Sequence, residues 1–278
     1  MLFDPTNTYH RYMLHYESEQ QLSLPEIIAQ GSVDTHTAAI LWYMLEHRAS
    51  VLVSGPTDPT PGVGKTTTLN SLLPFYPSET GFVYTIGMYE EFAFESEVPP
   101  QETTVLANEI SNHLRIYMWG RVARRLLQLP EKGFAVATTC HADTLKDVMT
   151  MLTSDLKIPA REIRNIQLIV NIGIERYPRP SRRRWLTTHF VLPNAEKTGG
   201  NGNGPVATQM VSAWDATSDT FVQPDANTIA ALAAWIGDTP QAFTDAIAKR
   251  EACLRELADA RADQDVTTNT VQAFRAQA

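Results

Sequence analysis

A chain of 278 residues, 43% of them apolar, is long enough for one large α/β domain with attachments and too apolar for a disordered one. Its formal charge of −8 argues against direct nucleic-acid binding, and its two cysteines, Cys140 and Cys253, lack partners at metal or disulfide spacing. No apolar run approaches the roughly 20 residues a bilayer span requires and no signal-peptide pattern is present, so the expected location is cytoplasmic, with docking at the inner face of a membrane through a partner left open.

Residues 1 to 32 read as a short N-terminal segment, with Tyr9, Tyr12, Met13 and Tyr16 at amphipathic spacing. SLPEIIAQG predicts a short helix capped by Ser23 and stopped at Gly31. DTHTAAILWYMLEHRA predicts a helix capped by Asp34 or Thr35. VLVS then reads as a buried parallel strand, and TTTLNSLLPF as a helix ended by its prolines. GFVYTIG, TTVLANE, FAVATTCHA and NIQLIVNIGIE are four further strands. IYMWGRVARRLLQL and DTLKDVMTMLTSDL are helices between them. Alternating strands and helices predict an α/β core over 33–197, with a mostly parallel sheet flanked by helices. Residues 198–224 read as a Gly-rich connection (TGGNGNG) and a hairpin around DATSD. Residues 225–278 read as C-terminal helices with Phe243, Ala246, Ile247, Cys253 and Leu254 on one apolar face.

Between the first strand and its helix lies GPTDPTPGVGKTTT. Without Asp58, Pro59, Thr60 and Pro61 it becomes an unbroken phosphate-binding loop. Such a loop works because successive backbone N–H groups and the positive end of the next helix surround phosphate oxygens. Gly62, Val63, Gly64, Lys65, Thr66 and Thr67 are therefore the expected nucleotide-binding residues. Lys65 serves the terminal phosphates and the Thr66 hydroxyl is a Mg²⁺ ligand. Pro59 and Pro61 offer no N–H, so the insertion is expected to bulge away from the nucleotide. A bare glycine turn containing a lysine is the alternative.

With the insertion set aside, GSVDTHTAAILWYMLEHRASVLVSGPT…GVGKTTTLNSLLPFYP resembles the secretion-superfamily ATPases of type II and type IV secretion, type IV pili and archaeal flagella. YTIGMYEEF, TTVLANEIS and ATTCHADT follow in the order of that family's acidic segment, Walker B strand and histidine box. The resemblance implies a RecA-like P-loop NTPase core with a C-terminal helical extension. It implies ATP and Mg²⁺ as ligands, a hexameric ring of identical subunits, and an inner-membrane platform protein as partner. It gives Glu109 a role at Mg²⁺ or the attacking water, Glu91 that of an alternative water-orienting base, and His141 a contact with the γ-phosphate. Three departures stand out. Gly87 and Met88 occupy positions where the family has acids, Asn108 replaces the Walker B glycine, and Ser111 replaces an arginine. The family's front domain, and the arginines it supplies, are expected to be absent or reduced.

Each residue also has a plainer reading: Glu109 as a strand-end acid, Glu91 as part of a solvated patch with Glu90, Glu95 and Glu97, and His141 as a core histidine. Arg121, Arg124 and Arg125, and separately Arg182 to Arg184, are either arginine fingers toward a neighbouring subunit or ordinary surface charge. The resemblance and its departures imply two functions. One is an ATP-hydrolysing motor subunit of a secretion or pilus-like system; the other is a catalytically weakened nucleotide-binding scaffold of such a system. A kinase or GTPase reading lacks a guanine-recognition motif or an acceptor site.

Overall fold

The computed structural model describes residues 21–56, 62–175, 181–193 and 205–277. The Tyr9–Tyr16 stretch, the Asp58–Pro61 insertion and the Thr198–Gly204 connection lie outside the described residues.

Ser23 caps α1 (Leu24–Ala29) by accepting from the Glu26 N–H, and Asp34 caps α2 (Thr35–Glu46) by accepting from Thr37. β1 (Val51–Gly55) is buried along its whole length and runs into α3 (Lys65–Leu72). β2 (Gly81–Tyr84), β3 (Thr103–Ile110), α4 (Arg121–Gln128) and β4 (Ala135–His141) follow. Next come α5 (Leu145–Thr150), α6 (Ala160–Ile163) and β5 (Leu168–Glu175). The strands stand in the order β2-β3-β4-β1-β5, all parallel, so β4 is inserted between β1 and β3.

Both faces of this sheet are covered, which is why its strands read as continuous apolar runs. Val51, Val53 and Val170 belong to one core with α1 and α2, whereas Leu52 and Ile169 face the other with Leu126, Leu127 and Val148.

One strand went unread in the sequence. β6 (Arg182–Val191) pairs antiparallel with β5 and carries the hairpin β7 (Thr208–Asp215) and β8 (Thr220–Val222), extending one sheet to eight strands among the described residues. Its three leading arginines and irregular burial hide the period-2 alternation that marks a half-buried strand. The sheet is thus mixed, and mostly parallel. α4 is also shorter than its periodicity suggests. Ile116 to Trp119 lie in a loop, and the helix starts only after Gly120 turns the chain at φ +60°.

α7 (Ala226–Ile236), α8 (Pro240–Asp259) and α9 (Gln264–Arg275) close the α2 side. Phe243, Ile247 and Leu254 are buried as their spacing predicts, while Cys253 is half-buried. Arg250 joins the same stripe as an ion pair: it donates to Glu46, which also accepts from Arg275 and Trp42. Its guanidinium lies 4.0 Å from the Tyr43 ring centre. Among the described residues no helix is long and apolar enough to cross a membrane.

Candidate functional site

β1 ends at Gly55, where an added Cβ would stand 2.8 Å from the Ile172 carbonyl and 3.1 Å from the Val63 side chain. A larger residue would push β5 and the loop apart. Beneath it, Asn171 donates to Ser54 and accepts from Thr187, so a buried polar relay ties β1, β5 and β6 together. Gly64 caps α3 at φ +102°, in the left-handed region that glycine enters freely. The first helical bond runs from the Thr68 N–H to the Gly64 carbonyl. The N–H groups of Lys65, Thr66 and Thr67 therefore precede the helical ladder and are available at the positive end of α3.

Parallel register delivers the catalytic candidates to this loop. Gly55 stands opposite His141 on β4, and Ser54 opposite Cys140. On β3 the register slips between Ala107 and Ile110, a bulge that re-aims the chain at Glu109. The result is a compact cluster. Lys65 Nζ lies 3.9 Å from Glu109 Oε2, and Glu109 also forms an ion pair with His141 through Nε2. These three side chains are about nine-tenths buried. Lys65 further donates to the Pro56 carbonyl at 3.4 Å. Burial lowers the Lys65 ammonium below its ordinary pKa, opposed by the Glu109 charge. Cys140 is fully buried, and the same desolvation pushes its thiol upward, which suits packing and not nucleophilic chemistry.

The loop after β3 folds over the cluster. The His113 ring stacks on His141 at 4.8 Å, and burial together with the Glu109 charge raises the Tyr117 phenol. Nothing in the spacing of His113 points to this role; it follows from Met118 returning to bond the Glu109 carbonyl at 2.9 Å.

Glu91 stands apart. It is exposed and pairs with neither Lys65 nor His141, and its neighbour Glu90 accepts from the Ile86 and Phe92 N–H groups. The acid-poor Gly87 has a structural reason. Its φ is +70°, and a Cβ there would fall 1.8 Å from the Ile116 carbonyl. A turn that must pass this close to the 111–120 loop accepts glycine and excludes an acidic side chain. Met88, Tyr89, Leu114 and Ile116 are exposed at this same turn, an apolar patch beside the cluster.

All of the candidate finger arginines except the exposed Arg121 are engaged within the chain. Arg125 pairs with Glu95, and Arg124 donates to the Leu156 carbonyl. Arg182 and Arg184 both meet Asp219 in the β7–β8 turn, and Arg184 also reaches the Gly31 carbonyl at 2.5 Å. Arg183 turns to the glycine-rich loop before α3, donating to the Gly62 carbonyl at 3.2 Å and passing within 3.3 Å of where a Gly64 Cβ would stand.

Thr66 and Glu109 offer a hydroxyl and a carboxylate, the hard oxygen donors that suit Mg²⁺. That ion keeps several waters and takes few protein ligands when it binds phosphates. Among the described residues there is no cluster of three or more His, Cys, Asp or Glu that would hold a metal by itself.

No family model matches the chain. It is similar to "Uncharacterized protein MJ0900" of Methanocaldococcus jannaschii, with 43% identity over 54 residues, which are 19% of this chain and 9% of the other. The chain thus spans under a tenth of the length of the curated relative it matches.

Proposed function

We propose that the chain is an ATP-binding and ATP-hydrolysing motor subunit of a type II/IV secretion or type IV pilus-like system, built on a RecA-like P-loop NTPase core. One observation carries the reading. Lys65, Glu109 and His141 come from α3, β3 and β4, far apart in sequence, and meet in one buried cluster at the N-terminus of the helix that follows β1. A strand inserted between the loop strand and the acid-bearing strand supports it further, since that order brings the acid and histidine to the loop.

In this reading the N–H groups at the start of α3 and the Lys65 ammonium hold the triphosphate. Thr66 and Glu109 hold Mg²⁺, whose charge offsets that developing on the phosphates. Glu109 orients the attacking water, and His141 fixes the Glu109 carboxylate. The exposed patch of Met88, Tyr89, Leu114 and Ile116 supports assembly into a ring of identical subunits, and a membrane platform protein is the partner the proposal requires.

A second reading, a scaffold with weakened catalysis, has its own support: Glu91 is exposed, and Gly87 is fixed by packing where the resemblance expects an acid. ATP turnover measured together with oligomer size separates the two. A motor turns over ATP as an oligomer, and Glu109→Gln abolishes turnover while sparing binding. A scaffold binds Mg-ATP with negligible turnover, and the substitution changes neither property. Absence of binding removes both.

A further inference from the structure

The 111–120 loop grips the strand it leaves. The Met118 N–H donates to the Glu109 carbonyl at 2.9 Å, the Ser111 N–H donates to the Met118 carbonyl at 3.1 Å, and Met118 is fully buried. Ile110 and Met118 pair as an isolated bridge, so the loop is closed at its base on β3 itself. On its outer side the Ile116 carbonyl accepts from the Met88 N–H at 3.3 Å, a contact for which the Gly87 turn leaves room. Within the loop, the His113 N–H donates to the hydroxyl oxygen of buried Ser111 at 3.1 Å. A loop held at its base, its turn and its outer side presents its side chains from a fixed backbone.

Two of those side chains are aromatic, and both meet His141. The His113 ring stacks at 4.8 Å between ring centres with 29° between the planes, and the Tyr117 ring stands at 6.3 Å and 36°. Both separations fall within the range of attractive aromatic pairs. His141 gains from such a restraint. Rotation of an imidazole about its last side-chain bond is soft, whereas contact between Nε2 and Glu109 exists only for a narrow range of ring planes. The ring also borders open space, since with His113, Trp119 and Asp147 it lines a hollow of about 280 Å³. His113 is itself exposed, so its ring adds little to the core, and its stack on His141 is what it contributes.

We infer that His113 is a positioning residue for the hydrolysis reaction, with Tyr117 in support: stacked on His141, it fixes the imidazole plane that keeps Nε2 on the Glu109 carboxylate. The inference rests on the ATP-hydrolysing reading above and extends it to residues that touch neither phosphate nor metal in it. One loop then holds Glu109 twice. Its carbonyl is held by the Met118 N–H, and its carboxylate by His141 with the rings of His113 and Tyr117 behind it. A carboxylate that must orient one water gains from both, because a small tilt of its partner moves the water off the line of attack. The Gly87 turn belongs to the same arrangement. A side chain there would push on the Ile116 carbonyl, and so on the loop that carries both rings.

Steady-state ATP turnover of the full chain tests this, in wild type, His113→Ala, His113→Phe, His141→Asn and the combined His113→Ala/His141→Asn variant. Removing the ring in His113→Ala is expected to lower kcat about three- to tenfold, the order of one aromatic pair, with KM for Mg-ATP within about twofold. His113→Phe keeps a flat ring without nitrogens and is expected to recover most of that loss. With His141 already replaced, His113→Ala is expected to cost less than about twofold, because its effect passes through His141. Proton NMR of the histidine-labelled chain reads the stack apart from turnover. The His113 ring current displaces the His141 ring signals, and His113→Ala should move them. An unchanged kcat in His113→Ala, a His113→Phe as slow as His113→Ala, an equal loss in the His141→Asn background, or unmoved His141 signals would each overturn the inference. If the wild-type chain has no turnover while the His141 signals still move, the stack stands, the hydrolysis reading fails, and the positioning role fails with it.

Discussion

The Lys65 ammonium lies 3.9 Å from the Glu109 carboxylate, both side chains about nine-tenths buried, although 44 positions separate them in the chain. An ion pair at that separation is loose, and Glu109 keeps a second partner in His141. Lys65 is thus held beside the helix start without being consumed by the acid, and a phosphate can claim it.

Lys65→Met is expected to weaken Mg-ATP binding by about 2–5 kcal/mol, the loss typical when one member of a buried charge-assisted contact is truncated. It also carries a pH signature. Burial holds the Lys65 pKa below its unfolded value, so the charged lysine costs stability at neutral pH, and that cost is relieved as pH rises through the folded pKa toward the unfolded one. Denaturant unfolding of wild type and Lys65→Met across pH 7 to ~10.4 should show the wild-type chain gaining on the variant as pH rises. A constant difference would contradict the burial effect.

Glu109→Gln keeps the shape and removes the charge. Steady-state ATP turnover is expected to fall by about 10²–10⁴, the usual contribution of a positioned base, while equilibrium binding stays within a few-fold. His141→Asn should lower turnover less, because it acts through the Glu109 carboxylate. An equal loss would give His141 a direct part at the phosphate.

The two loop glycines should differ. Gly64→Ala places a Cβ on a left-handed backbone at 3.3 Å from Arg183, an expected cost of about 1–2 kcal/mol with nucleotide affinity reduced. Gly62→Ala meets nothing within 4 Å among the described residues and should fold as the wild type does. Thermal unfolding and binding of the two variants check the contrast.

Glu46 is the acceptor for Arg250, Arg275 and Trp42, joining α2 to the C-terminal helices. Glu46→Ala leaves two nearly buried guanidiniums without it and is expected to destabilise the fold by about 3–5 kcal/mol. The shift in urea midpoint measures this. A loss below about 1 kcal/mol, the level of an exposed pair, would show that solvent screens the network.

Local sequence made much of the core legible. The caps at Ser23 and Asp34, the buried run VLVS before glycine, and the hairpin around DATSD each follow from near neighbours. β6 was hidden because arginine dominates its start, and those arginines are placed by partners far along the chain: Asp219 for Arg182 and Arg184, and Gly62 for Arg183. Arg250 was hidden for a similar reason, since a lone cation in an apolar stripe gains its place from a carboxylate on α2.

Adjacent residues alone show that a glycine-rich loop with a lysine joins a buried strand to a helix, because strand, turn and helix start are written side by side. The sequence also named Glu109 and His141 as strand-end candidates. Their meeting with Lys65 comes from the folded chain, through parallel register and a bulge in β3, and so does the position of Glu91 outside the cluster. The fold likewise shows that Gly87 is required by the Ile116 carbonyl and that Arg183 serves its own loop. Contacts between strands depend on sheet order, and sheet order is set by the packing of the whole chain and not by any one segment of it.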